Sequence, residues 1–122
     1  MWMIDRIRTY IMLKKSGLFD AEYYLRTYPD VKESGMDPLR HFILNGLPEG
    51  RNPSRFFNTR YYLENNPDLE KSNVTPFLHF MTQGWREGRN PAEDFNVEQY
   101  LEMNPDVKAA GINPLVHYIK NG

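Results

Sequence analysis

Three histidines, His41, His79 and His117, are the side chains best suited to acid–base or ligand chemistry in this chain, because an imidazole titrates near neutrality and binds metals through either nitrogen. Each stands 38 residues from the next. A metal centre needs ligands that converge within a few ångströms, whereas equivalent atoms of stacked helical units are separated by roughly the 8 to 10 Å of helix packing. The spacing therefore reads against a shared metal, and each histidine is expected to bond inside its own segment.

A second set is Asp30, Asp68 and Asp106 with Arg51 and Arg89, each arginine preceded two residues earlier by Glu49 or Glu87. Opposite charges at recurring positions ordinarily tie a loop to a neighbouring helix; contact with an anion or a sugar is the sharper alternative. Trp85 stands where an otherwise similar loop has Leu47, and Arg86 follows it. An aromatic can stack on a sugar ring, so Trp85, Arg86, Arg51 and Arg89 are the candidate ligand-binding residues, although burial in the core is the expected fate of Trp85 itself. No phosphate-cradling glycine loop, nucleophile elbow or Asp-x-Asp pair is found, and no catalytic residue, metal or cofactor is expected.

Composition narrows the partners. Fifteen basic and sixteen acidic residues lack the broad positive face that nucleic-acid binding needs, so nucleic acid is not an expected partner. With no cysteine the chain suits a reducing compartment, and the expected location is cytoplasmic, with the inner face of the membrane as the alternative. The first eighteen residues are broken by Asp5, Arg6, Arg8, Lys14 and Lys15, which argues against a cleaved targeting segment or a membrane span.

The elements that must position these side chains recur with the same period. Phe19, Phe57 and Phe95 are in register, as are Tyr24, Tyr62 and Tyr100, Pro29, Pro67 and Pro105, and Gly46, Gly84 and Gly122. Such a period predicts an all-α array of 38-residue helical repeats, two and a half copies over 19–56, 57–94 and 95–122. Asp20, Asn58 and Asn96 can cap a first helix, with the preceding Phe and the Tyr five residues on forming a hydrophobic staple. That helix must stop before Pro29, Pro67 or Pro105. A very short second helix follows, closed by Gly35, Asn73 or Gly111 in a left-handed conformation. A longer helix, called B, opens at Asp37-Pro38, Thr75-Pro76 and Asn113-Pro114 and is expected to end at Gly46, Gly84 and Gly122, with turns beyond.

Residues 1–18 fall outside the period. Met3, Ile7, Tyr10 and Ile11, with Trp2, Ile4 and Leu13 nearby, suggest a broad amphipathic helix ending near Gly17 that caps the array; its four basic residues against one acid make contact with a membrane surface the alternative.

The pattern Phe19-Asp20-x-x-x-Tyr24-Leu25, Tyr28-Pro29-Asp30-Val31, Gly35-x-Asp37-Pro38-Leu39-x-His41-Phe42 and Gly46-x-x-Glu49-Gly50-Arg51-Asn52-Pro53 resembles repeat modules that flank bacterial glycosyltransferases of surface-polysaccharide biosynthesis. Similar units also occur in large bacterial secreted or calcium-binding proteins. The resemblance covers residues 19–122 and transfers no active site. It implies a non-catalytic accessory module, a fragment of or attached to a glycosyltransferase whose catalytic domain lies outside this sequence. The partner would be that adjoining domain or another protein, with a glycan as the alternative ligand.

Overall fold

The structure, a computed structural model, describes residues 2–121, with side chains from residue 6 onward. Among the described residues it is all-α, with no strand beyond an isolated bridge between Ala92 and Phe95. The chain divides into two compact units, Met1–Arg55 and Phe56–Gly122.

The first unit begins with α1 (Trp2–Ser16), which ends before Gly17 and packs on a π-helical turn (Phe42–Gly46). Between them run α2 (Ala21–Thr27), α3 (Pro29–Ser34) and α4 (Pro38–His41), and α5 (Leu47–Glu49) follows. The second unit holds α6 (Thr59–Asn65), a 3-10 turn (Pro67–Lys71), α7 (Pro76–Thr82) and a second 3-10 turn (Gly84–Glu87). It continues through α8 (Val97–Met103), α9 (Pro105–Ala110) and α10 (Pro114–Asn121). No described helix is long and apolar enough to cross a membrane.

The local starts follow the sequence. Asp20, Asn58 and Asn96 each accept a hydrogen bond from a backbone N–H in the first turn of α2, α6 or α8, at 2.9–3.0 Å. The staple forms three times, with Phe19–Tyr24, Phe57–Tyr62 and Phe95–Tyr100 ring centroids all 5.3 Å apart. Proline then opens α3, the first 3-10 turn and α9, because its fixed φ suits a first helical position where an N–H would go unused. Tyr24 and Tyr62 are fully buried, along with Val31 and Phe42 in the first unit and Phe57, Phe80, Val97 and Leu115 in the second. Leu25, Leu63, Leu101 and Tyr100 are only half-buried.

Three sequence expectations are corrected. Asn73 does not close its turn in a left-handed conformation as Gly35 and Gly111 do; the turn over Pro67–Lys71 narrows to 3-10 and ends at Ser72 in extended backbone. An asparagine carries a Cβ penalty there that glycine lacks, and the tighter turn avoids it. Gly46 does not stop helix B, since it is right-handed at φ −66° and helical structure runs on to Glu49; in the second unit α7 does end at Thr82, Gln83 leaves the helical region at φ −135°, and a separate 3-10 turn covers Gly84–Glu87. The segment after Gly46 and Gly84 is therefore helical for another turn rather than a loop.

The left-handed turn that closes each segment lies at Gly50 and Gly88, with φ of 75° and 79°. The N–H of Gly50 donates to Leu47 O and that of Arg51 to Gly46 O, and the pair recurs as Gly88 to Trp85 O and Arg89 to Gly84 O. These are the paired bonds of a Schellman motif, which needs a residue tolerant of the left-handed region. In the first unit Pro48 cannot donate to Leu44 O and its ring crowds that carbonyl, so the helix widens and Leu47 N–H reaches back to Phe42 O.

The third correction concerns α1. Its inner face is Thr9, Leu13 and Ser16, all buried, while Ile7, Tyr10 and Ile11 of the apolar stripe are 45–55% exposed. Met3 lies among the residues whose side chains are not described.

Candidate functional site

Each histidine is held by a tyrosine 17 residues before it. Tyr24 Oη lies 2.9 Å from His41 Nδ1, and Tyr62–His79 and Tyr100–His117 stand at 2.7 Å. Burial pushes the Tyr24 and Tyr62 phenols well above their ordinary range, so these hydroxyls stay protonated. Burial likewise pushes His79 below its usual value, helped by the nearby Arg89 charge. Glu87 Oε1 stands 4.0 Å from His79 Nε2, and the tautomer that carries its proton on that nitrogen leaves Nδ1 to accept from the phenol. The histidines thus bond within their own segments. Among the described residues no group of three His, Asp or Glu is placed to share a metal ion.

The Schellman turn at Gly50 or Gly88 delivers Arg51 or Arg89 to the helical turn opened by Pro29 or Pro67. Arg51 is bidentate to Asp30, at 3.1 and 2.8 Å, and its Nε reaches Glu49 at 2.8 Å. Its guanidinium also lies 4.7 Å from the centre of the Tyr28 ring, whose hydroxyl accepts from Asn52 N–H. Arg89 repeats the fork on Asp68, at 3.0 Å for both bonds, with Glu87 at 2.8 Å on Nε. Where the first unit has Tyr28, the second has Asn66, whose Oδ1 accepts from Arg89 at 2.9 Å. The arginine forks hold Asp30 and Asp68 below the usual carboxylate range, and the arginines are raised in turn. These are the ties between loop and helix that the charge pattern suggested.

The loop is also pinned at its far end. The N–H of Asp20 donates to Pro53 O at 3.0 Å and that of Asn58 to Pro91 O at 2.9 Å, so the chain returns to the residue that caps its own first helix.

Trp85 is buried, with only 8% of its surface exposed, and the Arg86 guanidinium lies 4.8 Å from its ring centre. The two border a groove of about 440 Å³ whose other wall is Val97, Glu98, Leu101 and Glu102 of α8, with Lys108 of α9. Arg89 opens on a separate, smaller groove of about 280 Å³ with Tyr61 and Asn65. Trp85 and Arg86 are therefore brought together, Arg89 faces elsewhere in the same unit, and Arg51 lies in the other unit. Sequence reasoning did not single out Glu98 and Glu102, whose four-residue spacing places them on one helical face and is the signal that pointed to them.

No family model matches the chain, no curated protein matches it, and no solved structure matches it.

Proposed function

We propose that this chain is a non-catalytic array of 38-residue helical units, an accessory module that presents surface to an adjoining glycosyltransferase domain or another protein partner. The observation that carries this reading is the engagement of its reactive side chains. Both arginines of the turn motif are bonded to two carboxylates each, and all three imidazoles are bonded to phenols of their own segment. General acid–base or phosphate chemistry needs such groups directed at a substrate, and here they hold turns against helices. The link to polysaccharide biosynthesis rests on the resemblance of residues 19–122 to modules beside bacterial glycosyltransferases. Incubating the purified chain with nucleotide sugars and divalent metals tests it: no nucleoside diphosphate should be released. Release that follows the protein through purification and vanishes in the Arg51→Ala, Arg89→Ala double variant would refute the accessory reading.

A second reading, a carbohydrate-binding module, is favoured by the groove beside Trp85. The segments 46–52 and 84–90 differ at Leu47 against Trp85 and Pro48 against Arg86, and Trp85 and Arg86 border the groove. Its mixed wall offers carboxylates for sugar hydroxyls and apolar surface for a ring face. A glycan array probed with the chain and with the exposed variants Arg86→Ala and Glu102→Gln decides it: binding lost in both variants supports a sugar site.

A further inference from the structure

On α1 three large apolar side chains are exposed while two hydroxyl side chains are buried. Ile7, Tyr10 and Ile11 stand at helical spacing on one outward stripe while Thr9, Leu13 and Ser16 face inward. The stripe continues into an apolar cleft of about 580 Å³, where Ile7 and Tyr10 face Ile43 and Leu44 of the π turn. A helix that buries Thr9 and Ser16 beside Leu13 while Ile7, Tyr10 and Ile11 face outward leaves an apolar stripe for something else.

Charge indicates what that is. From Arg6 to Ser16 the helix carries four basic side chains and no acid, and Arg8, Lys14 and Lys15 are exposed beside the apolar stripe. Arg40 adds a fifth positive charge at the cleft. The carboxylate there, Asp37, is engaged as the cap of α4, accepting from Arg40 N–H at 3.0 Å. Residues 19–122 hold eleven basic and fifteen acidic side chains, so the positive charge is concentrated at this end. Pairing the stripe with that of a second copy would set four positive charges against four. An anionic bilayer removes both difficulties, since its interface takes up the apolar stripe and its headgroups attract the flanking lysines and arginines.

We propose that α1 and its cleft dock on an anionic lipid surface, with Ile7, Tyr10 and Ile11 entering the headgroup–acyl boundary and Arg8, Lys14, Lys15 and Arg40 meeting lipid phosphates. This goes beyond the accessory reading and does not depend on it, because the docking face involves neither the glycosyltransferase resemblance nor the grooves of the second unit.

The test uses the full chain and two vesicle preparations, phosphatidylcholine alone and phosphatidylcholine mixed with an equal part of phosphatidylglycerol. Co-sedimentation with the anionic vesicles should exceed that with the neutral ones by about tenfold or more, and should fall as salt is raised. The exposed double variant Ile7→Asp, Ile11→Asp should lose binding while keeping its circular dichroism spectrum and melting temperature, and Arg8→Glu with Lys14→Glu should lose the preference for anionic lipid. Equal binding to both vesicles, no binding to either, or full binding by the aspartate variant overturns the proposal. Self-association without lipid that the aspartate substitutions abolish also overturns it and assigns the stripe to a second copy.

Discussion

Tyr62 Oη lies 2.7 Å from His79 Nδ1 and fills the space in which a side chain on Gly84 would have to stand. A Cβ at Gly84 would overlap that hydroxyl and press on the phenol carbon behind it, and one at Gly46 would meet Tyr24 Oη and the Phe42 ring in the same way. The glycine of helix B is therefore required by its neighbour's volume, since at Gly46 the backbone is ordinary right-handed helix.

Replacing Gly84 with alanine should destabilise the chain by about 1–3 kcal/mol through overpacking. The same substitution in a Tyr62→Phe background should cost measurably less, because the overlapping oxygen is gone. A double-mutant cycle by urea denaturation checks it; strict additivity would refute the steric coupling.

Tyr62→Ala should cost about 3–5 kcal/mol, the usual range for truncating a buried aromatic, and leave little of a small domain's stability. Tyr62→Phe keeps the ring and removes only the partner of buried His79, which predicts a loss of about 1–3 kcal/mol. Equal losses in the two variants would mean that ring packing contributes nothing at this position.

Stability should fall as the medium is acidified through the histidine range. The folded state holds His79 below its ordinary value of 6.5, so the unfolded chain binds more protons there. This contribution is full above that value and is lost progressively as pH falls from it toward the folded one. His79→Asn, which retains an acceptor for the phenol and cannot ionise, should flatten the melting temperature between neutral and mildly acidic pH. An unchanged slope would rule His79 out as its source.

Asn58→Ala should cost about 1 kcal/mol by removing the acceptor of Tyr61 N–H at the start of α6. Asn58→Asp should restore that stability, since Asp20 fills the same role for Tyr23 N–H. Thermal melts of the three forms check both statements.

Gly50→Ala tests the helix stop separately from space. A Cβ at Gly50 meets nothing within 4 Å, yet φ is 75°, so a loss of about 1–2 kcal/mol would come from backbone conformation alone. A neutral substitution would mean that the turn relaxes out of the left-handed region.

What the sequence determined by itself is local. Asp20, Asn58 and Asn96 cap because a short acceptor side chain reaches an N–H three residues on, the staples close because Phe and Tyr lie five residues apart, and Pro29, Pro67 and Pro105 end one helix and open another through their own ring geometry. The pairing of Asp30 with Arg51 was legible too, since the charges return with the period. The tertiary structure alone decided which glycines carry the left-handed turn, because Gly46 and Gly84 are set by phenols 22 residues earlier in the chain while Gly50 and Gly88 take a positive φ. It also turned Ile7, Tyr10 and Ile11 outward. An apolar stripe shows which side chains share a helical face, but the side that is covered depends on what the rest of the fold packs against it.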